Sequence, residues 1–163
     1  MARHFNVLFL CTGNSARSIM AEAILNGKNN PNFTGYSAGS MATGSVRPEA
    51  LQQLRAANLP TEGARSKSWE EFSKRGAPQM NFVFTVCDSA AKEVCPIWPG
   101  QPMTAHWGIP DPAAVTGTPE EIERAFRDAF VTLGRRINLL VSLPLESLDS
   151  LAIKKEVDQI GRQ

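Results

Sequence analysis

Asn6-Val7-Leu8-Phe9-Leu10-Cys11-Thr12-Gly13-Asn14-Ser15-Ala16-Arg17-Ser18 runs from an apolar stretch, through a short polar turn, into a helical pattern. The apolar part has the length and bounds of a buried strand. Met20, Ala21, Ile24 and Leu25 then recur on one helical face. A strand that turns at once into a helix is the opening of a βαβ unit.

Outward from this segment the same alternation continues. Further strands are predicted over Gly35 to Ala38, Phe82 to Val86 and roughly Met103 to Trp107. Ala50, Leu51 and Leu54 begin a second helix just after Pro48, which suits a first turn. The clearest helix follows Thr118: a capping threonine, Pro119 at the first position, and Glu121 completing a capping box. Ile122, Ala125, Phe126, Ala129, Phe130, Leu133, Ile137, Leu140 and Val141 follow at helical spacing, with Gly134 a small weakness. A last helix is expected from about Leu145 to Ile160. Strands alternating with helices imply an α/β fold with a parallel sheet flanked by helices on both faces. No repeat or linker divides the 163 residues, so one domain, 1–163, is expected.

Bulk composition narrows the function. The formal net charge is +1, with 42% hydrophobic and 20% charged residues. That gives no electrostatic case for nucleic acid or for a membrane surface. The apolar run near the N-terminus is too short for a secretory signal, and no stretch approaches a membrane span. A cytoplasmic monomer is the expectation. Any affinity for anions must be local.

The turn after the first strand supplies such a place. Five residues separate Cys11 from Arg17. A short loop wrapping onto a helix N-terminus points backbone N–H groups inward and adds the positive end of the helix dipole. Thr12, Gly13, Asn14, Ser15, Ala16, Arg17 and Ser18 therefore form a nest for a tetrahedral oxyanion. Gly13 and Asn14 tolerate left-handed backbone. Arg17 can grip two oxygens at once. The same field is expected to favour thiolate over thiol at Cys11, with Ser15 or Ser18 donating to the sulfur. A merely buried cysteine would leave the arginine spacing and the Gly-Asn turn unexplained.

Two more cysteines lie in Val86-Cys87-Asp88-Ser89-Ala90-Ala91-Lys92-Glu93-Val94-Cys95-Pro96, with seven residues between them. Cys87 follows the third strand, at the same sheet edge as Cys11. Zinc would ask for closer cysteine pairs and more histidine than His4 and His106 offer, so no metal is expected. The pair is either redox-active or two unrelated core cysteines. Asp111 follows the fourth strand between Pro110 and Pro112. It can be a general acid at the same edge, or a turn residue. His106 reads as a hydrogen-bonded structural histidine.

The loop Cys11 to Ser18, together with Ser37-Ala38-Gly39 and Asp111-Pro112, resembles the signature of low-molecular-weight protein tyrosine phosphatases and of the arsenate reductases built on that fold. The resemblance runs from about Asn6 to about Val141. It implies a four-stranded parallel sheet, Cys11 as nucleophile, Arg17 as oxyanion ligand and Asp111 as general acid. The arsenate-reductase branch adds a three-cysteine relay, and Cys11, Cys87 and Cys95 match its positions. The function implied is reduction of arsenate to arsenite for arsenic detoxification. No bound cofactor is implied, only an external thiol reductant: thioredoxin, or glutaredoxin with glutathione.

The alternative within the resemblance is a phosphatase for phosphotyrosine, which needs only Cys11, Arg17 and Asp111. Ala113-Ala114 follow Asp111-Pro112 where that branch places an aromatic residue, although Trp69, Trp98 or Trp107 could still wall a cleft. Some reductases of this type hold a potassium ion beside the signature loop. Asn14, Glu22 and Ser37 match that site, but Lys67 falls where an acidic ligand is expected. A lysine ammonium has no lone pair to give a cation. It is expected to take the ion's place and neutralise Glu22.

Overall fold

The computed structural model describes residues 4–87, 98 and 100–163. The elements, in order, are β1 (Phe5–Leu10), α1 (Arg17–Gly27), β2 (Phe33–Ala38), α2 (Pro48–Ala56), α3 (Glu70–Ser73), β3 (Phe82–Thr85), β4 (Met103–His106), α4 (Pro119–Val141) and α5 (Ser150–Ile160). The four strands pair in the order β2-β1-β3-β4, all parallel.

This order decides where a ligand can bind. From β1 the chain moves outward to β2, then crosses back to place β3 on the other side of β1. In such a sheet a ligand binds outside the carboxyl ends of the strands where the order reverses, here between β1 and β3. Cys11 directly follows β1, and Cys87 lies two residues past β3.

The apolar run read as a buried strand is buried on both faces. On β1, Val7 and Phe9 face one side and Leu8 and Leu10 the other. The first side carries the main core, with Met20, Leu54, Phe126, Leu133, Ile137, Val157 and Ile160 supplied by α1, α2, α4 and α5. The second is thinner. It is covered by Phe72 of α3 and by Met80 and Trp98, with Tyr36 and Trp69 packed against them. Trp107 belongs to the main core: it is fully buried and stacks on Phe84 with ring centroids 4.1 Å apart.

Helix α4 starts as its sequence predicts, with the Thr118 side chain accepting from the Glu121 N–H and Glu121 reaching back. Such a box is worth about 1 kcal/mol. The last helix starts later than predicted. Leu145–Ser147 is a separate 3-10 turn, and α5 begins at Ser150 because the Asp149 side chain caps it by accepting from the Ala152 N–H. Asp149 was the signal that marks this start. The short helix α3 has no amphipathic pattern long enough to announce it.

Candidate active site

Three loop carbonyls turn outward. Thr12 O accepts from the Met41 N–H at 3.0 Å, Gly13 O from Thr43 at 3.0 Å, and Ser15 O from Arg47 at 2.8 Å. In a trans peptide the N–H points opposite to the C=O. The N–H groups of Gly13, Asn14 and Ala16 are thereby turned to the inner side of the loop. Helix α1 begins at Arg17 with no side-chain cap and no acidic residue in its first turn. Its N-terminal donors and its dipole face the same hollow. Donors and dipole so arranged suit an oxyanion.

Asn14 holds the loop's shape. Its φ is +45°, which asparagine tolerates, and it is fully buried. Its side-chain Nδ2 donates to Ser18 Oγ at 2.7 Å, and its Oδ1 accepts from the Lys67 N–H at 2.8 Å. Gly39 lies so close behind the loop that a Cβ there would stand 2.4 Å from Thr12 O and 2.5 Å from Cys11 O. Only glycine fits, which accounts for the Ser37-Ala38-Gly39 run.

Arg17 and Asp111 meet over the hollow. Arg17 Nη1 donates to Ile109 O at 3.0 Å, and Nη2 stands 3.7 Å from Asp111 Oδ1. That Asp111 oxygen also accepts from the Ala113 N–H at 2.9 Å, capping the turn Pro112–Ala114. Both readings of Asp111 therefore hold at once. It is a turn cap, and its half-exposed carboxyl stands beside the Arg17 guanidinium.

The sulfurs depart from expectation. Cys11 and Cys87 are both buried and hydrogen-bonded to each other. That bond, then burial, pushes the Cys11 thiol far up, against the opposing pull of Arg17 and the Gly13 N–H. The neighbouring thiol and burial thus oppose the loop field at Cys11. Thr12, expected to serve the oxyanion, instead donates its N–H to Cys87 Sγ at 3.4 Å, and its hydroxyl lies 3.8 Å from the same sulfur. Cys87→Ala is therefore expected to move the pH midpoint for alkylation of Cys11 downward. Peptide mapping of iodoacetamide labelling against pH measures it, and an unchanged or higher midpoint refutes the pairing. Cys95 lies outside the described residues.

The remaining candidates take structural places. His106 Nδ1 pairs with Thr85 Oγ1 at 2.8 Å. Trp69 and Trp98 pack edge to face on the thin side of the sheet, and the Trp107 indole donates to Val157 O at 2.9 Å. Trp107 and Trp98 are therefore core residues and not cleft walls.

Residues 6–154 match the pattern of the low molecular weight phosphotyrosine protein phosphatase family. The chain belongs to this family. Within it, an arsenate reductase of Oceanobacillus iheyensis is 35% identical over 133 residues, which are 82% of this chain and 92% of that protein. An arsenate reductase of Halalkalibacterium halodurans is 36% identical over 131 residues, 80% of this chain and 91% of that one. The crystal structure of an arsenate reductase from Archaeoglobus fulgidus superposes with a TM-score of 0.66 at 24% identity, covering 84% of this chain and 99% of that one. At that identity it speaks for the fold.

Among the described residues of this phosphatase-family chain, no helix is long and apolar enough to cross a membrane. Beside the loop, the residues do not fit a potassium ion. Lys67 Nζ donates to Ser37 Oγ at 3.0 Å and Arg65 O at 3.0 Å, and lies 3.3 Å from Glu22 Oε1. Its own burial pulls its pKa down and Glu22 opposes this. The ammonium fills the place among these oxygens that a cation would need. Turnover at matched ionic strength should be equal in sodium and potassium salts. A potassium-specific rise in rate or melting temperature would show that Lys67 does not serve as the cation.

Proposed function

We propose that this chain reduces arsenate to arsenite in the cytoplasm, as part of arsenic detoxification, using Cys11, Cys87 and Cys95 in turn. The observation that carries the reading is the Cys11–Cys87 contact at the anion loop. A phosphatase of this fold needs the first sulfur and has no use for the second. The identity to arsenate reductases along most of the chain supports the same reading.

Each residue then has a task. The inward N–H groups from Gly13 to Ser18 and the Arg17 guanidinium hold the oxyanion. Cys11 attacks arsenic as its thiolate, its proton passing to the bound anion. One As–O bond breaks, and the oxygen leaves as water on a proton from Asp111. Cys87 next attacks Cys11 Sγ. The S–As bond breaks, its electron pair stays on arsenic, and arsenic(V) leaves as arsenite while the two sulfurs become a disulfide. The Thr12 N–H stabilises negative charge on the attacking Cys87 sulfur. Cys95 then displaces Cys11 from Cys87. An external dithiol, thioredoxin or glutaredoxin with glutathione, reduces the final Cys87–Cys95 bond. The resident chemistry is carried by side chains, with no bound cofactor.

The deciding assay supplies arsenate with each thiol donor and measures arsenite, beside hydrolysis of a small aryl phosphate. Arsenite formation coupled to donor oxidation is expected. Aryl phosphate turnover without arsenite would return the chain to the phosphatase reading.

A further inference from the structure

Asp111 sits on a loop, and a general acid is useful only where its carboxyl is held. The segment from His106 to Asp111 is fixed by an unusual concentration of contacts. The Trp107 and Ile109 N–H groups continue the sheet, donating to Thr85 O at 2.7 Å and Val86 O at 3.2 Å. Its carbonyls go to two arginines. From the cleft side, Arg17 takes Ile109 O. From the far side, Arg136 of α4 takes Trp107 O, and also Gly108 O at 3.4 Å.

Arg136 reaches further. Its Nε and Nη2 donate to Gln163 O at 3.4 and 3.2 Å, beyond the end of α5. Helix α5 touches the same segment twice more. The Trp107 indole donates to Val157 O. Gly161 approaches so closely that a Cβ there would stand 2.4 Å from His106 O and 2.8 Å from Trp107 Cδ1. Arg136 is only 5% exposed. Burying a guanidinium is expensive, and an apolar side chain of similar length would often serve stability as well. What an apolar side chain could not do is bind the acid loop and the C-terminal segment with one rigid fork.

We propose that Arg136 is a positioning residue for Asp111, tying the acid loop to α4 and to the segment after α5, so that the carboxyl stays beside Arg17. The proposal rests on Asp111 acting as general acid.

A double-mutant cycle tests it. Arg136→Met and Arg136→Lys should lower kcat/KM for arsenate by on the order of 10- to 10²-fold. The arsenate concentration that protects Cys11 from iodoacetamide should stay unchanged, because the anion loop is not touched. In an Asp111→Asn background the same substitutions should cost no more than about twofold, since the acid they position is already gone. Equal losses in both backgrounds, a shift in protection, or no loss with Asp111 intact would each overturn the proposal. If the Arg136 variants do not fold, Gly161→Ala displaces the same loop from α5 and must show the same non-additivity. If Asp111→Asn alone costs nothing, the acid role falls and the proposal falls with it. If the chain turns over aryl phosphate but not arsenate, the arsenate reading fails separately, and the cycle run on the aryl phosphate decides the coupling.

Discussion

Replacing Cys87 by serine should stop arsenate reduction while leaving hydrolysis of a small aryl phosphate intact. Hydrolysis needs an anion hollow, a nucleophile, an arginine and an acid, and none of these is Cys87. Reduction needs a second atom that can attack Cys11 Sγ and accept a sulfur–sulfur bond. A serine hydroxyl in the same place, near the Thr12 N–H, is not ionised near neutral pH and forms no such bond. Hydrolysis in the variant should even extend to lower pH. The thiol partner that most strongly raises the Cys11 pKa is gone, which leaves burial still raising it and Arg17 opposing burial, so the midpoint moves down from its native position. Cys95→Ser should behave differently. It should release one equivalent of arsenite and halt with Cys11 joined to Cys87, since the sulfur that frees Cys11 is missing. Rapid alkylation followed by peptide mapping reads these pairings. Arsenate turnover at the native rate in both variants, with every donor, would remove the relay and leave a phosphatase.

Cys11→Ser should bring both activities to background, with the fold and the anion site preserved. The residue is buried, yet the change is from sulfur to oxygen within one volume class, so a loss of about 1 kcal/mol or less is expected. The donors proposed to hold the anion are the loop N–H groups and the Arg17 fork; of these the Gly13 N–H also bonds the Cys11 sulfur, and a serine oxygen can take that bond in its place. Phosphate should therefore still raise the melting temperature of the variant. Retained turnover in a folded protein would take the nucleophile away from Cys11. Loss of phosphate binding together with turnover would mean that the sulfur shapes the hollow.

What could be read in advance was local. The span from Asn6 to Ser18 carries its strand, its turn and its helix start in consecutive residues, so the candidate anion loop was visible in the chain itself. The Thr118–Glu121 cap is equally compact. The features that escaped are those made across long separations. Thr12 and Cys87 are 75 residues apart, and nothing near Thr12 shows that its N–H will face a sulfur and not an anion. The suppressed acidity of Cys11 follows from that same distant neighbour. Arg136 sits among charged helix residues whose pattern reads as solvent-facing, and its acceptors lie 29 and 27 residues away. The tryptophans were ambiguous for another reason. Their bulk suits a cleft wall and a core equally, and only the stacking partner of Trp107 decides between them.

The lysine beside the anion loop changes how this site answers to its surroundings. A dissolved ion arrives and leaves, so a loop that depends on one is only as well formed as the local supply permits. A lysine side chain is present whenever the chain is folded, and its charge is set by its protonation and not by the supply of an ion. Since the Lys67 N–H also fixes Asn14, charge compensation and loop shape are carried by one residue. The expected cost is the loss of tuning by the potassium content of the medium. On the proposed function, the loop's shape would then not wait on the supply of any dissolved cation.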